Sequence, residues 1–385
     1  MIFPPFRWDG IPSAPWFQAG DDRVRLLRDG REAFPAMLAA IEDARYEILV
    51  EMYWVGADAV GLRFRDALAA RAQAGIAVRV VVDAVGSLGL PARFWEPLER
   101  RGGQVHVYHT LSPFAPAFEV RLVERRNHRK VIVVDGRRGF TGGINLALAW
   151  LPVEHGGGGF RDDAIEVDGP ASEELRALFY KTWQRVSGAK TPPDVLPIVP
   201  GRTRPVWVLS SHGQRRRRRG ILREYLFRIQ RAQHSIDLAN AYFVPEGSVR
   251  HALYGAVRRG VRVRVLVPFR GDVAVVQFAQ ESLYESLLGE GLEVYLLRGS
   301  VLHAKTAIVD HDFVTTGSYN FDERSRSMNL ELNLAVESRS FADHVREVFE
   351  QDLLSADRLT LEAWKDRSLV RRGVEYAAFM LRRFL

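Results

Sequence analysis

Residues 127–135 read NHRKVIVVD, and residues 302–310 read LHAKTAIVD. Each stretch has a histidine, a lysine two places on and an aspartate five places after that: His128, Lys130 and Asp135, then His303, Lys305 and Asp310. The run VIVV closed by Asp-Gly reads as a buried strand ending in a turn. Side chains at i and i+2 of a strand share a face. His128 and Lys130 are therefore expected to point the same way, as are His303 and Lys305.

The echo continues past the motif. His128 is followed at +14 by Gly142 and at +17 by Asn145, and His303 at the same distances by Gly317 and Asn320. Each copy then reaches an acid on a strand-like alternation, FRDDAIEV with Asp162 and NLELNLAV with Glu331, if Val167 aligns with Val336. Upstream, ILVEMYWV (48–55) answers DLANAYFV (237–244), GIAVRVVVDAVGS (75–87) answers GVRVRVLVPFRGD (260–272), and GGQVHVY (102–108) answers GEGLEVY (289–295). A period near 180 residues is far longer than a solenoid repeat and has the size of a domain. Inside each copy, helical spacing (EAFPAMLAAIEDA, GLRFRDALAARAQAG) alternates with β-branched runs (YEILVEMY, VRVVVD), the signature of an α/β domain with a largely buried sheet. The expected fold is α/β: two homologous domains related by a pseudo-twofold axis, each a β-sheet flanked by helices. The proline-rich TPPDVLPIVPGR (191–202) is the expected linker. That places the first domain at 1–195, the second at 203–355 and a basic amphipathic C-terminal tail at 356–385.

Composition narrows the chemistry. The 385 residues contain no cysteine, which excludes disulfides, thiolate nucleophiles and Cys-ligated zinc. No stretch reaches 18 consecutive apolar residues, so no transmembrane helix is expected, and MIFPPFRWDG does not read as a secretory signal. The early aromatics Phe3, Phe6, Trp8, Trp16 and Phe17 are expected to pack on the protein body. A net charge of +7 favours polyanions, whether nucleic acid or anionic lipid. Of 54 basic residues only five are lysine (130, 181, 190, 305 and 365), yet both motifs hold one. Lysine is a compact point charge and arginine a planar fork, so retaining lysine against this bias argues that the site needs an ammonium.

Each half thus offers an imidazole, an ammonium and a carboxamide. Two such sets facing each other would surround one small anion, and a phosphodiester suits that cavity. Lysines and amides would stabilise the extra charge of a pentacoordinate phosphorus. One neutral imidazole can attack phosphorus while the other, protonated, donates to the leaving alkoxide, and the phosphohistidine is then resolved by water or an alcohol. Asp162 and Glu331 are suited to orient the histidines. Asp135 and Asp310, at strand ends, are expected to organise the turns. An ammonium cannot ligate a metal and no H-E-x-x-H cluster occurs, so catalysis without metal or other cofactor is expected.

At these residues the chain resembles the phospholipase D superfamily, whose signature is the duplicated HKD motif, from about residue 20 to 355. The stretches NAYFVPEGSVRHAL, FRDDAIEVDGP and VLHAKTAIVDHDFVTTGSYNFDERSRSMNLELNL resemble the bacterial cardiolipin synthases, in particular those lacking N-terminal transmembrane helices. The resemblance draws in Ser318, Asn320, Asp322, Arg324, Ser325, Asn329 and Glu331. It implies a catalytic set of His128, Lys130, Asp135, His303, Lys305 and Asp310. Asn145, Gly143, Ser318 and Asn320 would lie at the substrate, with Asp162 and Glu331 behind them. It further implies a phosphatidyltransferase with phosphatidylglycerol, and phosphatidylethanolamine as a further substrate. Its expected place is a peripheral one on the cytoplasmic face of a bacterial inner membrane, held to anionic lipid. Nucleic acid is disfavoured as a partner, since no groove-reading helix is patterned. A hydrolase, a nuclease of the same superfamily and an inactive membrane scaffold are the competing readings.

Two basic segments bear on that membrane. In RSLVRRGVEYAAFMLRRFL, Val370, Val374, Ala377, Leu381 and Phe384 recur at helical spacing beside Arg371, Arg372, Arg382 and Arg383. Such a helix can lie in an interface or pack on its own domain. The run RRRRR (215–219) suits anionic headgroups or a solvated loop.

Overall fold

The computed structural model describes residues 13–111, 124–195, 204–212 and 220–384. The arginine run 215–219, the aromatics Phe3, Phe6 and Trp8, and residues 196–202 of the expected linker lie outside the described residues. The chain divides into two compact units between Val208 and Leu209.

The first unit runs β1 (Phe17–Ala19), β2 (Asp22–Arg28), α1 (Asp29–Glu42), β3 (Glu47–Met52), α2 (Ala59–Gln73), β4 (Ala77–Asp83), α3 (Glu96–Glu99), β5 (Gln104–Tyr108), β6 (Val131–Val134), β7 (Arg138–Gly142), β8 (Phe160–Arg161), β9 (Asp163–Asp168) and α4 (Ala171–Ser187). Its sheet has the order β1-β2-β9-β7-β6-β3-β4-β5. Strands β3, β4 and β5 are parallel, while β6, β7, β9 and β2 continue antiparallel. Every residue of β3 is buried, as a central strand covered on both faces requires. Ile48, Val50 and Met52 join the core built by α1 and α2. On the opposite face Glu47 accepts from Tyr180 (2.7 Å) and Glu51 from Thr182 (3.0 Å), both on α4. Trp16 lies under Arg25, 4.6 Å from its ring centre, so this early aromatic packs on its own sheet.

β10 (Val206–His212) straddles the division. The chain then runs α5 (Gly220–Arg231), β11 (Ser235–Asn240), α6 (Gly247–Arg258), β12 (Arg262–Pro268), α7 (Ala274–Gly289), β13 (Glu293–Leu297), β14 (Val301–Leu302), β15 (Lys305–Val309), β16 (Phe313–Gly317), α8 (Glu323–Ser327), β17 (Leu330–Glu337), α9 (Arg339–Leu353), β18 (Ala356–Arg358), α10 (Leu361–Lys365) and α11 (Leu369–Met380). The sheet order is β10-β17-β16-β15-β11-β12-β13-β18. Setting aside β1 and β18 leaves two seven-stranded orders that match strand for strand, so the duplication read in the sequence is a duplication of topology. The expected tail belongs to the second unit: β18 pairs with β13, and α11 packs along α7.

The ladders also test the alignment of the halves. Val167 faces Gly139 and Val336 faces Val314, so Asp162 and Glu331 are equivalent positions. The alignment of β3 with β11 is corrected by one residue. Ile48 faces Val134 and Ile236 faces Val309, which makes Ile48 equivalent to Ile236 rather than to Asp237. A one-residue slip exchanges the faces of a strand. The string match pairs Tyr53 with Tyr242, which the ladders place one position apart.

Candidate active site

In the first unit the residues around His128 are anchored on either side. Asn127 donates from its backbone to Asp83 (2.8 Å) and from its side chain to Glu51 (2.8 Å). Arg126 lies 3.6 Å from Asp83 and Arg129 3.6 Å from Glu51. All five of these side chains are buried. Burial raises the carboxyl pKa values of Asp83 and Glu51, and Arg126 and Arg129 oppose that rise. His128 itself is half-buried. Its ring meets Tyr53 edge to face at 4.9 Å, and the buried Lys130 ammonium sits 5.1 Å above the same tyrosine. Lys130 Nζ also donates to the His128 carbonyl (2.8 Å). Lys130, just ahead of β6, thus holds its cation against the backbone of its own histidine.

The second unit repeats this contact with different support. Lys305 is fully buried and its Nζ donates to the His303 carbonyl and to His303 Nδ1, the latter at 3.0 Å. An ammonium has no lone pair, so Nδ1 accepts, and the proton of the neutral ring is then on Nε2. Tyr242 stands edge-on to His303 at 6.5 Å.

The two acids occupy matched, fully buried places. Asp162 accepts from the Trp150 indole (2.8 Å) and from the Asp163 backbone (2.8 Å). Glu331 accepts from the Ser318 hydroxyl, from Ser325 (2.9 Å) and from Asn329 (3.2 Å). Ser325 in turn accepts from the Asn320 backbone (3.2 Å). Three of the residues that the resemblance draws in, Ser318, Ser325 and Asn329, therefore converge on Glu331. Asp322 caps α8 by accepting from the Ser325 backbone (2.7 Å), and burial raises its carboxyl pKa to about 7.

The matched glycines have a steric cause. A Cβ on Gly142 would lie 2.3 Å from the Asp163 carbonyl, and one on Gly317 2.2 Å from the Leu332 carbonyl. A Cβ on Gly143 would lie 2.2 Å from the Asp162 carboxylate. Close strand approach thus excludes a side chain at Gly142 and Gly317, and the buried Asp162 carboxylate crowds one at Gly143. The asparagines differ: Asn145 Oδ1 accepts from the Trp54 backbone (3.1 Å), whereas buried Asn320 Oδ1 has no hydrogen-bond partner among the described residues.

The motif aspartates lie elsewhere. Asp135 accepts from the backbones of Arg45, Tyr46 and Glu47 (2.8, 2.8 and 2.9 Å). Asp310 accepts from Gln233, His234 and Ser235 (3.0, 2.7 and 3.2 Å). Both have positive φ, 54° and 52°. Each clamps the chain entering the neighbouring strand, about 16 Å along its own strand from the lysine. Sequence reasoning passed over Glu51, Asp83, Asn127, Arg129 and Tyr53. The tyrosine was visible inside a repeated string. The polar network was not, because its second-unit counterparts flanking His303 are the apolar Leu302 and Ala304.

The family described as "Cardiolipin synthase, PLD-like domain" matches residues 37–150 and 225–353. The chain belongs to the phospholipase D superfamily. Relatives within it include Cardiolipin synthase A of Pseudomonas aeruginosa, 35% identical over 91% of this chain and 70% of the relative. Another is the major cardiolipin synthase of Bacillus subtilis, 31% identical over 91% of this chain and 72% of the relative. The crystal structure of phosphatidylserine synthase from Haemophilus influenzae Rd KW20 superposes with a TM-score of 0.71 over 97% of both chains at 15% identity, which shows a shared fold. As a phospholipase D superfamily enzyme, the chain carries one HKD set in each unit. No helix among its described residues is long and apolar enough to cross a membrane.

Proposed function

We propose that this enzyme transfers a phosphatidyl group from one phosphatidylglycerol to a hydroxyl of another, making cardiolipin and releasing glycerol. The observation that carries the reading is the repeated His–Lys contact: in each unit a buried ammonium is held on the carbonyl of its own motif histidine. The 35% identity to a cardiolipin synthase supports the choice of lipid.

In this reading one imidazole attacks the phosphodiester phosphorus and the glycerol alkoxide leaves, taking a proton from the second histidine. The resulting phosphatidyl-histidine is attacked by the acceptor hydroxyl, whose proton returns to the second histidine. Following the usual order of the family, His128 is the nucleophile and His303 the acid and then base. Protonating His303 requires Lys305 to release Nδ1, and the His303 carbonyl that Lys305 already touches keeps the ammonium bound. Lys130 and Lys305 oppose the charge that grows on the phosphoryl oxygens. Asn145, Gly143, Ser318 and Asn320 line the substrate, and Asp162 and Glu331 keep the surrounding loops in place. The enzyme works peripherally on the cytoplasmic face of a bacterial inner membrane, and phosphatidylethanolamine is a second donor.

The test is to incubate purified protein with phosphatidylglycerol, with and without phosphatidylethanolamine, and to identify products by mass spectrometry. Cardiolipin with glycerol supports the proposal. Phosphatidic acid alone would make the enzyme a hydrolase, and no lipid turnover would overturn the reading.

A further inference from the structure

Helix α11 is amphipathic in an inverted sense. The side turned to α7 carries its charge: Arg371 pairs with Glu281 (2.5 Å) and Arg372 with Glu285 (3.3 Å). Glu375, only 1% exposed, is held by Arg367 (3.1 Å) and Arg371 (3.3 Å). Most of its apolar residues face away, while Ala378 is buried and Phe379 half-buried. Leu369 is 82% exposed, Val370 78%, Met380 57% and Leu381 52%, with Val374 and Tyr376 exposed beside them. At 100° per residue these six, with Gly373 and Ala377, fill one continuous arc. Burial would ordinarily run the other way.

We propose that this outward face of α11 is the surface by which the enzyme lies on an anionic lipid bilayer, an inference that rests on the lipid reading above. Charge decides the occupant. From Arg367 to the end of the chain there are five arginines and one acid, and that acid, Glu375, is buried and paired. The apolar arc is therefore bordered by arginines, of which Arg371 and Arg372 pair with Glu281 and Glu285 of α7 while staying nearly half exposed, an edge that suits lipid phosphates. Size agrees. Twelve residues span about 18 Å, and a helix about 10 Å wide presents a face on the order of 180 Å² over that length, far short of the roughly 800 Å² per partner of an ordinary protein interface, but enough to lay a helix into a headgroup layer. The turn that follows, Leu381–Phe384, packs on α8, the helix capped by Asp322 two residues after Asn320. The docking face is thus joined to the helix whose Ser325 hydroxyl holds Glu331.

The experiment compares the full chain with the double variant Val374→Glu/Leu381→Glu. Its control is Leu88→Glu/Val153→Glu, which makes the same charge change at exposed apolar sites of the first unit. All three are sedimented with vesicles of phosphatidylcholine, with and without phosphatidylglycerol. Wild type and control are expected to bind the anionic vesicles alike, and the α11 variant at least about tenfold more weakly. Turnover of detergent-dispersed phosphatidylglycerol should be the same for all three. Equal vesicle binding by the α11 variant would overturn the proposal. So would a wild-type dimer that the α11 variant disperses, which would make a second copy the occupant. Loss of turnover by wild type in detergent would count against the lipid reading and leave the vesicle comparison readable.

Discussion

Lys305 has no solvent exposure, and its ammonium reaches both the carbonyl and Nδ1 of His303. A guanidinium is planar, larger and cannot place a single charge in that corner. Lys305→Arg and Lys130→Arg are each expected to lower kcat by roughly 100-fold or more, the range seen when one oxyanion donor is lost. Thermal melts recorded alongside the kinetics separate this from overpacking, which costs about 1–3 kcal/mol. If either arginine variant kept near-wild-type kcat, the retained lysines would lose their catalytic meaning. Asp322 makes a different prediction, of pH dependence. Burial raises its carboxyl from 3.8 to about 7, so the folded protein holds a proton that the unfolded chain has lost. The stability from this group is therefore fully present below about pH 4 and is lost as pH rises through 7. Asp322→Asn keeps a capping oxygen and cannot titrate. Across pH 4–7.5 the wild-type melting temperature should fall relative to that of the variant; parallel curves would show that Asp322 does not titrate in this window.

At the scale of the element, Asp135 and Asp310 end strands β6 and β15 and clamp the chain that enters β3 and β11. Asp310→Ala removes the acceptor of three backbone N–H groups and puts an alanine at φ 52°. A loss of about 2–4 kcal/mol in urea unfolding is expected. The kcat of the folded fraction should stay within about threefold, because substitutions away from the reacting atoms act through stability. A fully folded Asp310→Ala protein without activity would refute the clamp. The elements also show what a linear pattern can reveal. The alternation of runs was enough for two α/β copies, and the valines of FRDDAIEV and NLELNLAV were enough to match Asp162 with Glu331, because ladder register follows hydrophobic spacing there. Two things were illegible. The β3 and β11 strings carry their polar residues, Glu51 in one and Asp237 and Asn240 in the other, at positions that do not repeat between the copies, so no shared alternation penalised a one-residue slip. In α11, periodicity told which residues share a face but not which face turns inward. That was decided by Glu281 and Glu285 on α7, about ninety residues earlier in the chain.

At the scale of the whole molecule, the question is why both copies keep intact motifs. Two independent sites would each work with one imidazole, and losing either histidine would leave about half the activity. A single reaction using both histidines behaves otherwise, because residues that act as a unit are not additive. His128→Ala and His303→Ala are each expected to lower kcat by at least about 10⁴-fold, with the double variant no slower than the worse single one. The two singles should still differ in one respect. Without His303 the enzyme lacks the base for the second step. Phosphatidylglycerol labelled in its phosphate should therefore leave label on the protein, acid-labile as a phosphoramidate is, in whatever fraction of molecules completes the unassisted first step. Without His128 no label should be retained. Label on the His128→Ala protein would reverse the two roles, and label on neither would remove the covalent intermediate. If each single variant kept half its turnover, the duplicated motif would be two sites after all, and the two matched sheets would be two enzymes in one chain.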